Sequence, residues 1–140
     1  MNIRIYYDNL DFRIKGWKKI RKLIEKVISK ENNISGDLNF ILTNDEIIKR
    51  INNEFLKHNY NTDVISFNYD DQNTPTGDIY ISVDTVKRNA KNYKVSYRNE
   101  MIRVIIHGTL HICGYEDRND VEKGEMIKQE DFWLKVYSEL

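Results

Sequence analysis

Two histidines in the C-terminal third of the chain have the spacing of metal ligands on one helix face. His107 and His111 stand four positions apart. On an α-helix, positions four apart differ by about 400° of rotation and about 6 Å of rise, so both imidazoles project from the same side. Two imidazoles one turn apart can bind a single metal ion. The spacing therefore predicts part of a metal site.

A glycine and a carboxylate follow at positions that would complete this site. Gly114 predicts a helix-ending residue in the left-handed conformation, which would turn the chain back and bring Asp117 toward the same ion. Glu116, one position earlier, is an alternative third ligand. Three protein ligands leave a coordination position for water. We therefore predict His107, His111 and Asp117 as metal ligands, and as catalytic residues acting through the bound water.

Two residues inside the motif carry structural predictions. Gly108 lies within the predicted helix, where glycine costs about 1 kcal/mol relative to alanine. We expect it to allow another element to pack closely. Cys113 lies about 200° around the helix from His111 and should face away from the site, as a packing residue.

Alternating strands and helices must position these residues. Period-two alternation of apolar residues predicts four strands, and apolar residues at helical spacing with capping residues predict about five helices. The predicted strands lie near residues 3–7, 38–42, 64–68 and 78–82. The predicted helices start near Trp17, after Thr43 with Glu46, after Ser82, after Ser96, and after Asn119 with Glu122. The apolar residues of the last one should seal the core; they are Met126, Phe132, Trp133, Val136, Tyr137 and Leu140.

The arrangement of these elements predicts an α+β fold with one four-stranded mixed sheet and about five helices. The polar segment 69–77 should join the third and fourth strands as an antiparallel pair. The helix running to Cys113 is apolar on several sides, so we place this metal-binding helix centrally. The length suits one domain over residues 1–140.

Composition excludes several classes of protein. The first 16 residues lack the apolar region of a secretory signal, and apolar runs are far shorter than the roughly 18 residues of a membrane span. The single cysteine forms no internal disulfide, which is typical of a reducing compartment. We expect a cytoplasmic protein with no membrane partner.

Charge is balanced overall but not locally. The chain has 22 basic and 22 acidic residues, yet residues 1–30 hold nine Lys or Arg against three acidic residues. A basic first helix could steer an anionic polymer toward the domain. The alternative is a solvated helix face that binds nothing.

Two stretches together resemble one known family. Residues 107–117 (His-Gly-Thr-Leu-His-Ile-Cys-Gly-Tyr-Glu-Asp) resemble the signature His-Gly-x-Leu-His-Leu-x-Gly-Tyr-Asp-His of the YbeY family of bacterial endoribonucleases for ribosomal RNA maturation. Residues 62–67 (Thr-Asp-Val-Ile-Ser-Phe) and 77–79 (Gly-Asp-Ile) resemble that family's Thr-Asp-Val-Leu-Ser-Phe and Gly-Asp-Ile segments, in the same order. The resemblance covers residues 38 to 117.

The resemblance implies an activity, a cofactor and partners. It implies a metal-dependent endoribonuclease that cleaves single-stranded RNA, with one divalent ion, usually Zn²⁺. The implied substrate is ribosomal RNA, at the 3′ end of the 16S molecule, and the implied partner is the small ribosomal subunit, including a role in ribosome quality control. A compatible mechanism is attack on a phosphodiester by metal-activated water.

The chain departs from the family pattern at two positions. Asp117 replaces the third histidine; carboxylate is an ordinary zinc ligand, but its negative charge should leave bound water less acidic and favour harder metals. Leu56 stands where the family has an arginine that would contact RNA. Neighbouring groups are candidate contacts to RNA or phosphate. They are Lys57, His58, Asp63 and Ser66.

Two other functions compete with the nuclease. The pattern His-x3-His-x2-Gly-x2-Asp also resembles metzincin-like zinc peptidases, but these need Glu directly after the first histidine as general base, where this chain has Gly108. The absence of the family arginine at Leu56 favours a ribosome-associated assembly or binding factor, with a structural metal and weak nuclease activity.

Overall fold

A computed structural model of the chain describes residues 2–32, 36–57, 62–69 and 75–140, which form one sheet and five helices. The predicted α+β class with a four-stranded mixed sheet is confirmed. The strands are β1 (Ile3–Tyr7), β2 (Leu38–Thr43), β3 (Val64–Asn68) and β4 (Gly77–Ser82). The helices are α1 (Trp17–Asn32), α2 (Asp45–Leu56), α3 (Val83–Tyr93), α4 (Tyr97–Ile112) and α5 (Asp120–Ser138).

The sheet has the strand order β1-β2-β4-β3. The first three of these strands are parallel, and β3 pairs antiparallel with β4, as predicted from the polar segment between them. Consequently β3 is an edge strand, with β4 as its one neighbour among the described residues.

Side-chain caps start the last four helices. Ser82, Ser96 and Asn119 accept hydrogen bonds from backbone N–H groups of α3, α4 and α5, as predicted. The predicted cap of α2 at Thr43 is wrong by one residue. Asn44 has extended backbone dihedrals and accepts from the Ile47 N–H, whereas Thr43 is still the last residue of β2.

The core lies between the sheet and the packed helices. The apolar stripe of α1 is buried as its spacing predicted, and its lysine-rich face is largely exposed. Helix α4 contacts α1, α3, α5, β3 and β4. Among the described residues, no helix has the length and apolar character needed to cross a membrane.

The buried face of α5 differs from the prediction. Met126 and Trp133 are buried, but Phe132 and Leu140, which their apolar character would place in the core, are exposed. The position between Met126 and Trp133 on the buried stripe is occupied by Glu130, which is only 5% exposed. A carboxylate buried to this extent needs a polar partner.

Gly108 allows α4 to lie directly on the sheet. A Cβ atom at this position would meet Ile79 Cγ2 of β4 at 2.6 Å and Val64 Cγ2 of β3 at 3.4 Å. The predicted close approach at this glycine is confirmed, and it fixes the height of the two histidines above β3 and β4.

Candidate metal centre

The three predicted ligands lie together at the C-terminal end of α4. His107 Nε2 is 3.0 Å from His111 Nε2, and Asp117 Oδ2 is 3.4 Å and 3.5 Å from these two nitrogens. Tetrahedral zinc ligands at about 2.0–2.1 Å from the ion lie about 3.3–3.4 Å from one another. The donor set and its spacing therefore fit a divalent ion such as Zn²⁺.

A helix-ending turn brings Asp117 to the histidines. Gly114 has φ 103°, in the left-handed region predicted for it, and its N–H donates to the His111 carbonyl at 3.0 Å. The Tyr115 N–H donates to the Leu110 carbonyl, also at 3.0 Å. Glu116, the alternative ligand, is not part of the cluster that these three side chains form in the described chain.

Each imidazole is held through its other nitrogen. His111 Nδ1 is 2.9 Å from the Tyr115 carbonyl oxygen, and His107 Nδ1 is 2.6 Å from Glu130 Oε2. A carbonyl or ionised carboxylate only accepts hydrogen bonds, so each Nδ1 carries the proton and donates it. Both Nε2 lone pairs are therefore available to a metal, in the arrangement that metal-binding histidines commonly show.

Glu130 belongs to a charged network behind His107. Its second oxygen, Oε1, accepts from Arg103 Nη1 at 2.8 Å, and Arg103 Nη2 also donates to Asp131 Oδ1 at 3.1 Å. Glu130 is thus the residue of the site that sequence reasoning missed. A signal was available, because a carboxylate halfway along an otherwise apolar helix stripe needs a polar partner.

Acidic neighbours shift the titration of the site. Burial lowers the pKa of His107, but the hydrogen bond and charge of Glu130, with the charges of Asp63 and Asp117, raise it overall above its usual 6.5. Burial raises the pKa of Asp63 above its usual 3.8, although the charge of His107 opposes this. In the metal-free protein, the His107 ring therefore stays doubly protonated to a higher pH than an exposed histidine does.

The ligands face a polar cavity of about 660 Å³. Helix α4 and the turn after it form one wall, and β3 with the end of α2 forms the other. The predicted contact residues Asp63 and Ser66 lie in this cavity, and so does Leu56. The lining residues are Asn52, Leu56, Thr62, Asp63, Val64, Ile65, Ser66, Asn68, His107, His111, Gly114, Glu116 and Asp117.

The remaining predicted residues lie elsewhere. Lys57 is exposed at the C-terminal cap of α2, with φ 60°, and is not among the residues that line the cavity. His58 lies outside the described residues. Cys113 packs against the core, in keeping with its predicted structural role.

Comparison with known proteins identifies relatives over nearly the whole chain. The model of the family described as Endoribonuclease YbeY matches residues 6–138. The Endoribonuclease YbeY of Flavobacterium psychrophilum is 40% identical over 91% of this chain and 91% of its own length. That of Chloroherpeton thalassium is 43% identical over 84% of this chain and 83% of its own length.

A solved structure shares the fold. The solution structure of TM1509 from Thermotoga maritima has a TM-score of 0.68 and 27% identity, and the match covers 96% of this chain and 88% of that one. The match of the family model to residues 6–138, with relatives of 40% identity or more, shows that the chain belongs to the YbeY endoribonuclease family.

Proposed function

We propose that the protein is a metal-dependent endoribonuclease that cleaves single-stranded RNA in the cytoplasm, acting in ribosomal RNA maturation at the 16S 3′ end and in ribosome quality control. Residues 1–140 would form one catalytic domain with the small ribosomal subunit as partner. The observation that supports this most is the convergence of two imidazole nitrogens and one carboxylate oxygen beside a polar cavity, in a member of the YbeY family.

His107, His111 and Asp117 would hold one divalent ion, with Zn²⁺ expected from the donor set. Such an ion acidifies water to make a nucleophile and neutralises charge on phosphoryl oxygens. The protein's own contribution is to present two unprotonated Nε2 atoms, because Glu130 and the Tyr115 carbonyl occupy the protonated sides of the rings.

The lining of the cavity suggests that a phosphate would bind only when the three ligands hold a metal ion. No Lys or Arg is among the described lining residues, and Leu56 occupies part of the wall. Asp63, Glu116 and Asp117 place carboxyl groups in the same cavity. A phosphodiester therefore meets few favourable charges from the protein alone.

This shortage of cations favours a second candidate function. A ribosome-associated assembly or binding factor with a structural metal and weak nuclease activity would also keep the ligands while lacking a guanidinium at Leu56. A zinc peptidase is disfavoured, because Gly108 occupies the position of the required general base and is in contact with Ile79.

Cleavage assays separate these functions. Wild type and His111→Ala should be incubated with single-stranded RNA, the corresponding duplex and casein, each with and without a chelator. For the nuclease, we expect cleavage of single-stranded RNA by wild type alone, lost on chelation and restored by added Zn²⁺. Cleavage of casein would indicate the peptidase. A metal-loaded protein that binds RNA but cleaves neither polymer would indicate the binding factor.

A further inference from the structure

The outer edge of β3 faces the same cavity as the metal ligands. β3 ends the strand order, and its residues Val64, Ile65, Ser66 and Asn68 line the cavity. An edge strand presents backbone N–H and C=O groups that no neighbouring strand uses. The cavity therefore contains main-chain donors and acceptors besides its side chains.

The register of the β3–β4 ladder shows which residues present these groups. The Ser82 N–H donates to the Asp63 carbonyl at 2.9 Å. Tyr69, six residues after Asp63, donates its N–H to the Thr76 carbonyl at 2.8 Å, so both residues bond to the β4 side. In an antiparallel ladder, residues alternate between those that bond to the partner and those that face away. Val64 and Ser66 fall on the alternate positions, so their N–H and C=O groups point away from β4.

Ser66 is held beside the metal ligands. Its Oγ donates to the Gly108 carbonyl of α4 at 3.4 Å, and Gly108 directly follows His107 in the chain. The side chain thus points to α4, and the backbone groups remain at the outer edge. No described residue forms a backbone hydrogen bond to Ser66 on this side.

We propose that the outward N–H and C=O of Ser66 bind the Watson–Crick edge of an unpaired nucleobase next to the scissile phosphodiester. This inference rests on the proposed nuclease function and names the feature of RNA that the site recognises. One residue at a strand edge offers a donor and an acceptor side by side, and the Watson–Crick edge of a base offers the complementary pair.

This arrangement would select single strands. In a duplex, the Watson–Crick groups are already paired, so the backbone of Ser66 has nothing to bind. An extended peptide is the other ligand that a strand edge can take. The nucleobase is favoured because the chain belongs to an endoribonuclease family and Gly108 replaces the general base of the similar peptidases.

The first experiment uses a variant that lacks the Ser66 N–H and should still fold. Ser66→Pro deletes this donor, and proline is tolerated on edge strands where the N–H faces outward. Ser66→Ala is the matched control, because it removes the hydroxyl and keeps the N–H. Zinc content and thermal unfolding of both variants confirm that fold and metal site are retained.

Binding should be measured with the zinc-loaded protein and a single-stranded RNA, at low temperature and over a time in which electrophoresis shows the strand to be intact. One neutral hydrogen bond corresponds to roughly a twofold to twelvefold change in Kd. We expect Ser66→Pro to bind more weakly than Ser66→Ala by about this factor, because both variants lack the hydroxyl and only Ser66→Pro also lacks the N–H. With an otherwise identical abasic strand, Ser66→Pro and Ser66→Ala should bind equally, because no base is present.

A second measurement uses the wild-type protein and so does not depend on a variant folding. The Ser66 amide should exchange its hydrogen more slowly when the intact base-containing strand is bound, and show no slowing with the abasic strand. Equal affinity of Ser66→Pro and Ser66→Ala for the base-containing strand, or the same difference between them for the abasic one, would overturn the inference.

The outcomes separate this inference from the proposed function. If wild type cleaves single-stranded RNA but the Ser66 amide remains unprotected, only base recognition by Ser66 is wrong. If an extended peptide protects this amide and RNA does not, the edge binds peptides and the inference is wrong. If wild type neither binds nor cleaves RNA, the nuclease proposal fails together with it.

Discussion

The two walls of the cavity are built in different ways. One wall, α4 with the turn after it, is backed by α5, and we call this pair of helices the α4–α5 wall. Behind His107 it contains buried charges in short contacts, with Glu130 bonded to both His107 and Arg103. The opposite wall, formed by β3 and the end of α2, has two described side-chain bonds to α4 near the ligands, from Ser66 to the Gly108 carbonyl and from Asn68 to the Ile112 carbonyl. It also includes the exposed Leu56. One wall holds its groups in fixed positions, and the other offers open polar surface.

This difference suggests that one wall serves metal binding and the other serves RNA binding. Metal binding needs ligands held in place before the ion arrives, and a buried carboxylate–arginine pair supplies that. Binding of a flexible polymer needs accessible donors and acceptors, which an edge strand supplies. Substitutions on the α4–α5 wall should therefore change metal affinity, and those on the β3–α2 wall should change RNA affinity alone.

The largest expected effect comes from removing the carboxylate ligand. Asp117→Ala should lower the affinity for Zn²⁺ by more than the roughly 100-fold that outer contacts contribute, because a direct ligand is lost. Glu116→Ala, the neighbouring acidic residue outside the cluster, should bind Zn²⁺ nearly as wild type. Competition with a chromophoric chelator measures both. The reverse order of effects would make Glu116 the third ligand.

The next largest effect is expected on the α4–α5 wall. Glu130→Gln should lower Zn²⁺ affinity by about 10-fold to 100-fold, since an amide can present its NH₂ group to His107 and no longer fixes the protonated Nδ1. Asp131→Asn is the control, because Asp131 shares Arg103 but does not contact a histidine. Equal losses in both variants would show that Arg103, not Glu130, is what matters for metal binding.

The same carboxylate predicts a pH dependence. The pKa of His107 is raised above 6.5 in the folded protein, so its protonated form adds stability below about pH 6.5, and this is lost as pH rises through the raised pKa. The unfolding free energy of the metal-free protein should fall across that window, and less so in Glu130→Gln. Denaturant titrations at several pH values test this. An identical pH dependence in the two proteins would contradict the assignment.

Two glycines should respond with opposite signs to the same substitution. Gly108→Ala forces a Cβ to 2.6 Å from Ile79 Cγ2 and should destabilise the fold by about 1–3 kcal/mol. Gly124→Ala lies within α5 with no atom inside 4 Å of the new Cβ, and should stabilise by about 0.5–1 kcal/mol. Thermal unfolding measures both. Equal changes would remove the argument for close packing at Gly108.

The smallest effect is expected on the β3–α2 wall. Leu56→Arg places a guanidinium in the cavity and should tighten binding of single-stranded RNA by about threefold to tenfold at low salt, with Zn²⁺ affinity unchanged. Asn53→Arg adds the same charge at an exposed position outside the lining and is the control. Equal tightening in both variants would indicate general charge attraction.

Local sequence patterns were sufficient to predict most of the fold and the grouping of the three candidate metal ligands. Ser82, Ser96 and Asn119 cap the helices that they were expected to cap, because a cap depends on residues within one turn. The His107 and His111 pair and the turn at Gly114 are local in the same sense. Signals that span a few residues can be interpreted without knowledge of the tertiary structure.

Features that depend on distant residues were missed. The contact between Glu130 and His107 joins positions 23 residues apart, so no local spacing records it. The buried stripe of α5 was misassigned for a related reason: Phe132 is more hydrophobic than Glu130, but Arg103 and His107 make the carboxylate the residue that can be buried. Hydrophobicity alone predicts that α5 is a helix, but it does not predict that its buried face includes a charged residue.

The close approach of α4 to the sheet at Gly108 bears on how the proposed ion would bind. Because α4 lies directly on the sheet, core packing holds the helix that presents both histidines, while the cavity in front of them is open. We therefore expect that an ion bound there would be removable and replaceable without unfolding of the chain.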